Sequence, residues 1–184
     1  LATVITRRFD IPANQQTQWD GINIGGLSSS GHLRVLWWAA ANVNTDPNNL
    51  DAGWRISDLT DPQVTAPNSS ANDLPAFISD RGLASYFAPW GGINYVGFNT
   101  QGQIQVYWWV PGFAGQYISS IITDTLPNGT LIPIADLNAY SAPNGIISIF
   151  GPGEDDVALR LWVDPFAPGS SWGVENLSAI ATRV

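Results

Sequence analysis

Short runs of alternating hydrophobic and polar residues, separated by turn-forming residues, occupy most of this chain. An alternation with period two is typical of a β-strand with one buried face. Clusters of Gly, Asn and Pro between the runs mark tight turns. In the best-defined stretch the runs are residues 83–86, 93–96, 103–110 and 117–123. The pattern predicts a four-stranded antiparallel meander. Helical spacing is absent almost everywhere, and only residues 178–184 suggest a helical turn.

The meander belongs to a repeat built around paired tryptophans. Residues 19–38 align with residues 90–109 without a gap, and nine positions are identical. A third copy, residues 145–162, keeps the Gly-Ile start, the alternation and a closing Trp. Self-similarity of this kind indicates one supersecondary unit used several times. We therefore predict a single repeat domain, residues 1–184, with units at approximately 1–65, 76–130 and 131–184.

The alignment of the third copy fixes which tryptophans correspond to one another. It places Trp162 opposite Trp38 and Trp109, and it puts Leu161 where the other copies have Trp37 and Trp108. Adjacent strand residues face opposite sides of a sheet, so each Trp-Trp pair needs both faces covered. Core packing is the expected role of these pairs.

The first residues of the chain form a further predicted strand. Residues 1–6 alternate but have no obvious partner within the first unit. We expect this strand to pair with residues 177–184 of the same chain or of a neighbouring copy.

Four-stranded units of about 50 residues have the size of a β-propeller blade. The chain has Gly-started alternating strands that end in Trp and a later aromatic residue in each unit, and over most of residues 17–184 it resembles β-propellers of the lectin-like kind, whose blades carry a Gly-x-φ-x-φ-Trp strand and a later Trp. The resemblance is to the pattern and points to no specific family. It implies an all-β fold of three tandem four-stranded antiparallel units, arranged as propeller blades. Propellers close with four to eight blades, so three blades need a second copy, a longer chain or an open stack. Free strand edges favour association, and we expect a homo-oligomer.

Composition narrows the classes of partner. The 184 residues carry a formal net charge of −8, only 12% are charged, and Cys is absent. Nucleic-acid binding needs clustered cations, so it is not expected. No stretch reaches the roughly 18 apolar residues of a membrane span, and membrane insertion is not expected. An acidic, Cys-free chain rich in Trp and Asn favours an extracellular or cell-surface location.

A second set of aromatic residues forms the candidate ligand site. Trp19 and Trp90 sit beside Gly-rich turns, whereas Trp54, Tyr117 and Trp172 open the last strand of each unit. Sugar rings stack their C–H faces on such planes, and Arg55 and Asn94 are placed to bind hydroxyl groups. Packing at the rim of each repeat is the alternative interpretation.

The chain has few of the side chains that usually act as acid, base or nucleophile in catalysis. His32 is the single histidine and is predicted to be exposed and non-catalytic. Glu154, Asp155 and Asp156 fall in a predicted turn, and Asp46 and Asp51 fall in an Asn-rich insertion. Neither segment has the spacing of an EF-hand loop. We predict no enzyme activity, no metal site and no cofactor, with calcium as a weak alternative.

These observations predict a non-catalytic extracellular binding or adhesion module with carbohydrate as its favoured ligand. One alternative is a structural subunit of a surface layer, sheath or fibre, in which self-association is the function. The other is a glycosidase-like enzyme with paired carboxylates, for which no recurring pair is present.

Overall fold

Twelve strands form three antiparallel sheets in the computed structural model, which describes residues 3–7, 22–28, 31–39, 53–60, 77, 81–109 and 117–181. The first sheet contains β1 (Thr3–Arg7), β2 (Ile22–Leu27), β3 (Leu33–Ala39) and β4 (Gly53–Asp58). The second contains β5 (Leu83–Phe87), β6 (Ile93–Phe98), β7 (Ile104–Trp108) and β8 (Ile118–Ile121). The third contains β9 (Asn138–Ser141), β10 (Ile147–Pro152), β11 (Ala158–Val163) and β12 (Gly173–Asn176). The predicted all-β class is confirmed.

Each sheet is a meander, because its four strands pair in chain order. The central hairpins turn on residues with positive φ: Gly31 at 79° in the first sheet, Gly102 at 77° in the second and Asp156 at 57° in the third. Glycine adopts this left-handed conformation without steric cost, and Asp tolerates it better than most residues. The acidic cluster in the third unit is therefore part of a turn, as the sequence indicated.

Two hydrophobic cores hold the sheets face to face. One lies between the first and second sheets and contains Leu27, Leu33 and Val35 packed with residues such as Tyr95 and Tyr107. The other lies between the second and third sheets. Its buried members include Val96, Phe98, Ile104, Val106, Ile149 and Leu161. Because β-strand side chains alternate between faces, the second sheet is buried on both sides.

The N-terminal strand pairs differently from our expectation. β1 is antiparallel to β2 in the first sheet, from Thr3 opposite Gly26 to Arg7 opposite Ile22. β1 therefore has a partner within the first unit, contrary to our expectation, and Leu177–Ile180 forms the helical turn α1 rather than a strand. Residues 182–184 of the expected partner segment lie outside the described residues. The pairing of β1 with β2 could not be predicted from the sequence, because residues 8–21 separate the two strands and no tight hairpin turn connects them.

The third copy is shifted by one residue relative to the sequence alignment. The turn after β6 closes with Asn99 N–H donating to Gln103 O, and the turn after β10 closes with Gly153 N–H donating to Val157 O. Trp108 and Trp162 each lie five residues beyond those closing residues, so Trp162 corresponds to Trp108, and the alignment with Trp109 is wrong. A shift of one residue moves a side chain to the opposite face of the sheet.

The source of that error is the Gly91-Gly92 pair. The alignment matched Gly145 to Gly92, whereas the backbone matches it to Gly91. Gly91 has φ of 82° and Gly145 has φ of 91°. Each donates its N–H to an alanine carbonyl three residues earlier, Ala88 or Ala142. The hydrophobic pattern alone does not distinguish between two adjacent glycines.

Candidate functional site

A cleft of about 850 Å3 opens between the second and third sheets. Three indole rings line it, those of Trp90 and Trp108 from the second sheet and Trp172 from the third. Aliphatic side chains and Pro165 form another part of the lining. The polar side chains of the lining are neutral, namely those of Tyr86, Asn94, Ser120, Thr125, Ser170 and Ser171. The cleft therefore combines large apolar planes with short hydrogen-bonding groups.

Trp90 is held in place by the glycine-rich turn between β5 and β6. Its indole Nε1–H donates to the Trp109 carbonyl at 3.3 Å. Gly91 provides the positive φ that the turn requires. A Cβ added to Gly92 would overlap the Trp109 carbonyl and crowd the Trp90 indole nitrogen. The Gly-Gly sequence is thus needed for the indole to approach the backbone so closely.

Trp108 provides the second indole, from the end of β7. Its Nε1–H donates to Ser120 Oγ at 3.1 Å. Ile118 pairs directly with Trp108, and Ser120 lies two residues further along β8 on the same face. From the sequence we predicted only a core role for Trp108, and its place in the cleft was not predicted. The hydroxyl on the adjacent strand is the signal that could have indicated it.

Trp172 forms the opposite wall. It lies immediately before β12, preceded by Ser170 and Ser171, and its half-buried ring packs against the core shared by the two sheets. The serine hydroxyls therefore stand beside an aromatic plane at the mouth of the cleft.

The deepest polar groups of the cleft are Asn94 and Tyr86. Asn94 is 1% exposed, and its Oδ1 accepts from the Trp109 backbone N–H at 3.4 Å. Burial raises the pKa of Tyr86 to about 12, although a hydrogen bond with the Asn94 side chain opposes part of the shift. Both groups are therefore neutral near pH 7, and they hydrogen-bond to each other.

None of the described residues that line the cleft is charged. Acid-base catalysis by paired carboxylates requires two Asp or Glu side chains at the reacting bond, and this lining supplies neither. In the described part of the chain, no group of three or more His, Cys, Asp or Glu side chains is placed to hold a metal ion. The chemistry available at the cleft is stacking and neutral hydrogen bonding.

The structure brings together three of the seven predicted ligand residues, Trp90, Asn94 and Trp172. Tyr117 packs instead against the core between the first and second sheets, with its ring centroid 6.3 Å from that of Tyr95, and burial raises its pKa. Trp54 is 53% exposed on the first sheet, away from this cleft. Trp19 and the side chain of Arg55 lie outside the described residues, as does the acidic insertion that contains Asp46 and Asp51.

Comparisons with known proteins show a likeness in fold. No protein-family profile matches this chain, and no curated protein matches its sequence. The chain is similar to a solved structure of a fucose lectin from Kordia zhangzhouensis in complex with methyl-fucoside. The TM-score is 0.50 at 20% sequence identity, and the match covers 84% of this chain and 89% of the lectin. This likeness concerns the fold.

In the described residues, no helix is long and apolar enough to span a membrane.

Proposed function

We propose that this protein is a non-catalytic, extracellular or cell-surface carbohydrate-binding module and that its ligand occupies the cleft between the second and third sheets. The observation that carries the proposal is the convergence of Trp90, Trp108 and Trp172 on one cleft whose other polar groups are neutral. The fold likeness to a lectin solved with a bound methyl sugar supports it.

The lining favours an uncharged sugar over other ligands. The C–H faces of a pyranose ring stack on an indole plane, and the parts of the three rings that the core leaves open are available for this contact. Hydroxyl groups of the sugar pair with Ser120, Ser170 and Ser171 at the mouth of the cleft. A carboxylate or phosphate ligand would enter without a cationic partner, and its desolvation would be uncompensated.

We further infer that the three sheets are consecutive blades of a β-propeller. The second sheet packs one face on the first sheet and the other on the third, as a blade does in a ring. Blades that each carry a cleft would bind a multivalent glycan with avidity well above the affinity of one site.

The test is binding of neutral glycans, first on an array and then by titration calorimetry. Trp172→Ala removes one wall of the cleft and should weaken glycan binding at least tenfold. Trp172→Phe keeps an aromatic plane and should retain most of the glycan affinity. Ser120→Ala removes the partner of the Trp108 indole and should weaken binding less. Leu131→Ala is the control, since Leu131 is 54% exposed and does not line the cleft.

Circular dichroism and melting temperature must first show that each variant is folded. Absence of glycan binding by the wild-type protein, or equal binding by Trp172→Ala, would refute the proposal.

The apolar surface of the first sheet favours a second candidate function, a structural subunit of a layer, sheath or fibre. Leu36, Trp54 and Ile56 are 39%, 53% and 67% exposed on adjacent strands. Large open assemblies without glycan binding would establish that function instead.

A further inference from the structure

In the part of the chain that the structure describes, no sheet packs on one face of the first sheet. Leu36 on β3 pairs with Ile56 on β4, Trp54 lies two residues from Ile56 on the same face, and all three side chains are exposed. Large apolar residues gathered on one sheet face mark an interaction surface more often than isolated ones do. We call this surface the leading face.

The repeat shows what covers the same face in the second sheet. The central hairpins place Tyr107 at the position of Leu36, and the pairing of the last strand places Ser119 at the position of Ile56. Tyr107 is 1% exposed and Ser119 is 7% exposed, because that face is packed on the first sheet. The leading face is therefore equivalent to a surface that another sheet buries within this same chain.

The third sheet has the complementary face, on which no sheet of the described residues packs, and we call it the trailing face. It carries Tyr140, Phe150, Arg160 and Trp162, with Tyr140 50% exposed. By register these positions correspond to Tyr86, Val96, Val106 and Trp108, on the face of the second sheet that packs on the third.

The trailing face is already organised. The Arg160 guanidinium donates to Glu175 at 2.9 Å and to Ser148 at 3.1 Å, and it lies 5.9 Å from the centroid of the Trp162 ring. Tyr140 stacks on Phe150 with ring centroids 6.4 Å apart. Side chains fixed in this way lose little rotamer freedom when a partner binds, and Trp, Tyr and Arg are the residues most enriched in interface hot spots.

We propose that two copies of this chain associate head to tail, the trailing face of each packing on the leading face of the other. The two junctions would close a ring of six sheets, because each chain contributes three. Six lies within the four to eight blades of closed propellers, whereas three copies would give nine. The same sheet-on-sheet packing would then occur at every step around the ring.

Charge and area are compatible with this dimer. Among the described residues, Arg34 on the leading face lies 3.4 Å from Asp58 and Arg160 on the trailing face lies 2.9 Å from Glu175, so these charges are paired within their own face. Four strands about 4.8 Å apart and six residues of about 3.3 Å give a face of roughly 400 Å2. The four faces of two junctions then bury roughly 1,600 Å2, the size of a standard stable interface.

The junction would also complete a second binding cleft that one chain alone lacks. Trp54 of the second copy would stand where Trp172 stands in the described cleft, facing Trp162 and Tyr140 in place of Trp108 and Tyr86. This extension to a neutral-sugar site rests on the proposed function, whereas the dimer itself does not. The Arg160–Glu175 pair would make the second cleft more polar than the first, where Val106 and Ser120 occupy those positions.

The mass in solution tests the dimer, by light scattering coupled to size exclusion and by analytical ultracentrifugation. Wild type should have twice the 19.8 kDa of the chain. Ile56→Arg on the leading face and Tyr140→Arg on the trailing face should each give monomers. Ile180→Arg is the matched control, because Ile180 is 67% exposed, as Ile56 is, but lies in α1. It should stay dimeric.

Mixing the two variants tests the head-to-tail arrangement. The mixture retains one intact trailing face and one intact leading face, so association should return at raised concentration. A monomeric wild type, or a dimer that survives either substitution, would overturn the proposal. Dissociation by Ile56→Arg alone, with Tyr140→Arg still dimeric, would show instead that two leading faces pair with each other.

Calorimetry with a neutral glycan separates this proposal from the proposed function. Ile56→Arg should lose one site per chain and keep the affinity of the cleft at Trp172. A dimer that binds no glycan would leave the association correct and refute the sugar sites alone.

Discussion

At the scale of single residues, the role of each tryptophan depends on the face of the strand that it occupies. Trp108 and Trp162 occupy equivalent positions in their hairpins, yet Trp108 lines a cleft between two sheets and Trp162 lies on an outer face under Arg160. Trp90 contacts the backbone only because two glycines allow the approach. The same residue type therefore serves as anchor, candidate ligand platform or candidate interface residue, according to what lies opposite.

Tyr86 gives a pH-dependent prediction for the deepest part of the cleft. Burial in the fold raises the pKa of Tyr86 from 10.0 to about 12. The neutral phenol therefore makes its full contribution to the free energy of unfolding below pH 10, and this contribution is lost as the pH rises to 12. Two pKa units correspond to about 2–3 kcal/mol. Tyr86→Phe loses the hydrogen bond to Asn94 and should be less stable than wild type at pH 8 by about 1 kcal/mol.

Urea unfolding of wild type and Tyr86→Phe between pH 8 and pH 12 measures the difference in their free energies of unfolding. The other buried tyrosines are present in both proteins, so their contributions cancel. The order of stability should reverse near the upper end of the range. A constant difference across the range would show that Tyr86 ionises as freely in the folded protein as in the unfolded chain.

At the scale of elements, the three central hairpins all need a residue with positive φ in the turn, and different residue types provide it. Gly31 and Gly102 adopt positive φ in the first two turns, whereas Asp155 at 56° and Asp156 at 57° do so in the third. In the second hairpin, Asn99 Oδ1 accepts from the N–H groups of Gln101 and Gln103, which stabilises the turn from within. Left-handed backbone costs a non-glycine residue about 1–2 kcal/mol, so the third turn is the more strained.

Asp156→Gly should therefore stabilise the protein by about 0.5–1 kcal/mol, since relief of strain exceeds the added entropy of the unfolded chain. The reciprocal change, Gly102→Ala, should destabilise it by about 1–2 kcal/mol. Thermal and urea unfolding at pH 7 compare both variants with wild type. Loss of stability in Asp156→Gly would mean that the Asp side chain makes a contact worth more than the strain.

At the scale of the whole molecule, stability should centre on the second sheet, because among the described residues it is the sheet with both faces packed on other sheets. Its inner strands β6 and β7 contain Val96, Phe98 and Ile104, none of which has measurable exposure. Regions with dense apolar contacts open least often in the native state. Within the described residues, no sheet covers the outer faces of the first and third sheets.

Phe98→Ala should consequently cost about 3–5 kcal/mol, the usual range for a buried Phe. Phe166→Ala is the control, because Phe166 is 65% exposed, and it should change stability by less than about 0.5 kcal/mol. Hydrogen exchange on the wild type should show the slowest amides in residues 93–98 and 104–108. Slower exchange in the third sheet than in the second would contradict this account.

Most of the strand pattern could be predicted from the sequence, and part of the candidate site could. The period of two placed β5 to β8 within a few residues, because alternation is a local consequence of which side chains face the core. Trp90, Asn94 and Trp172 were identified as ligand candidates from their turns and strand starts. Trp108 was missed because its relation to Ser120 exists only across a strand pair.

The all-β class, the repeated meander and the positions of the turns could be read from the sequence, since these follow from local periodicity and from the φ that glycine permits. The pairing of β1 with β2, the one-residue shift of the third copy and the meeting of three indole rings in one cleft became visible only in the folded chain. Those features depend on contacts between residues far apart in the chain. A shift of one residue in register moves every side chain of a strand to the opposite face of the sheet. The hydrophobic pattern of the sequence is almost the same for both registers.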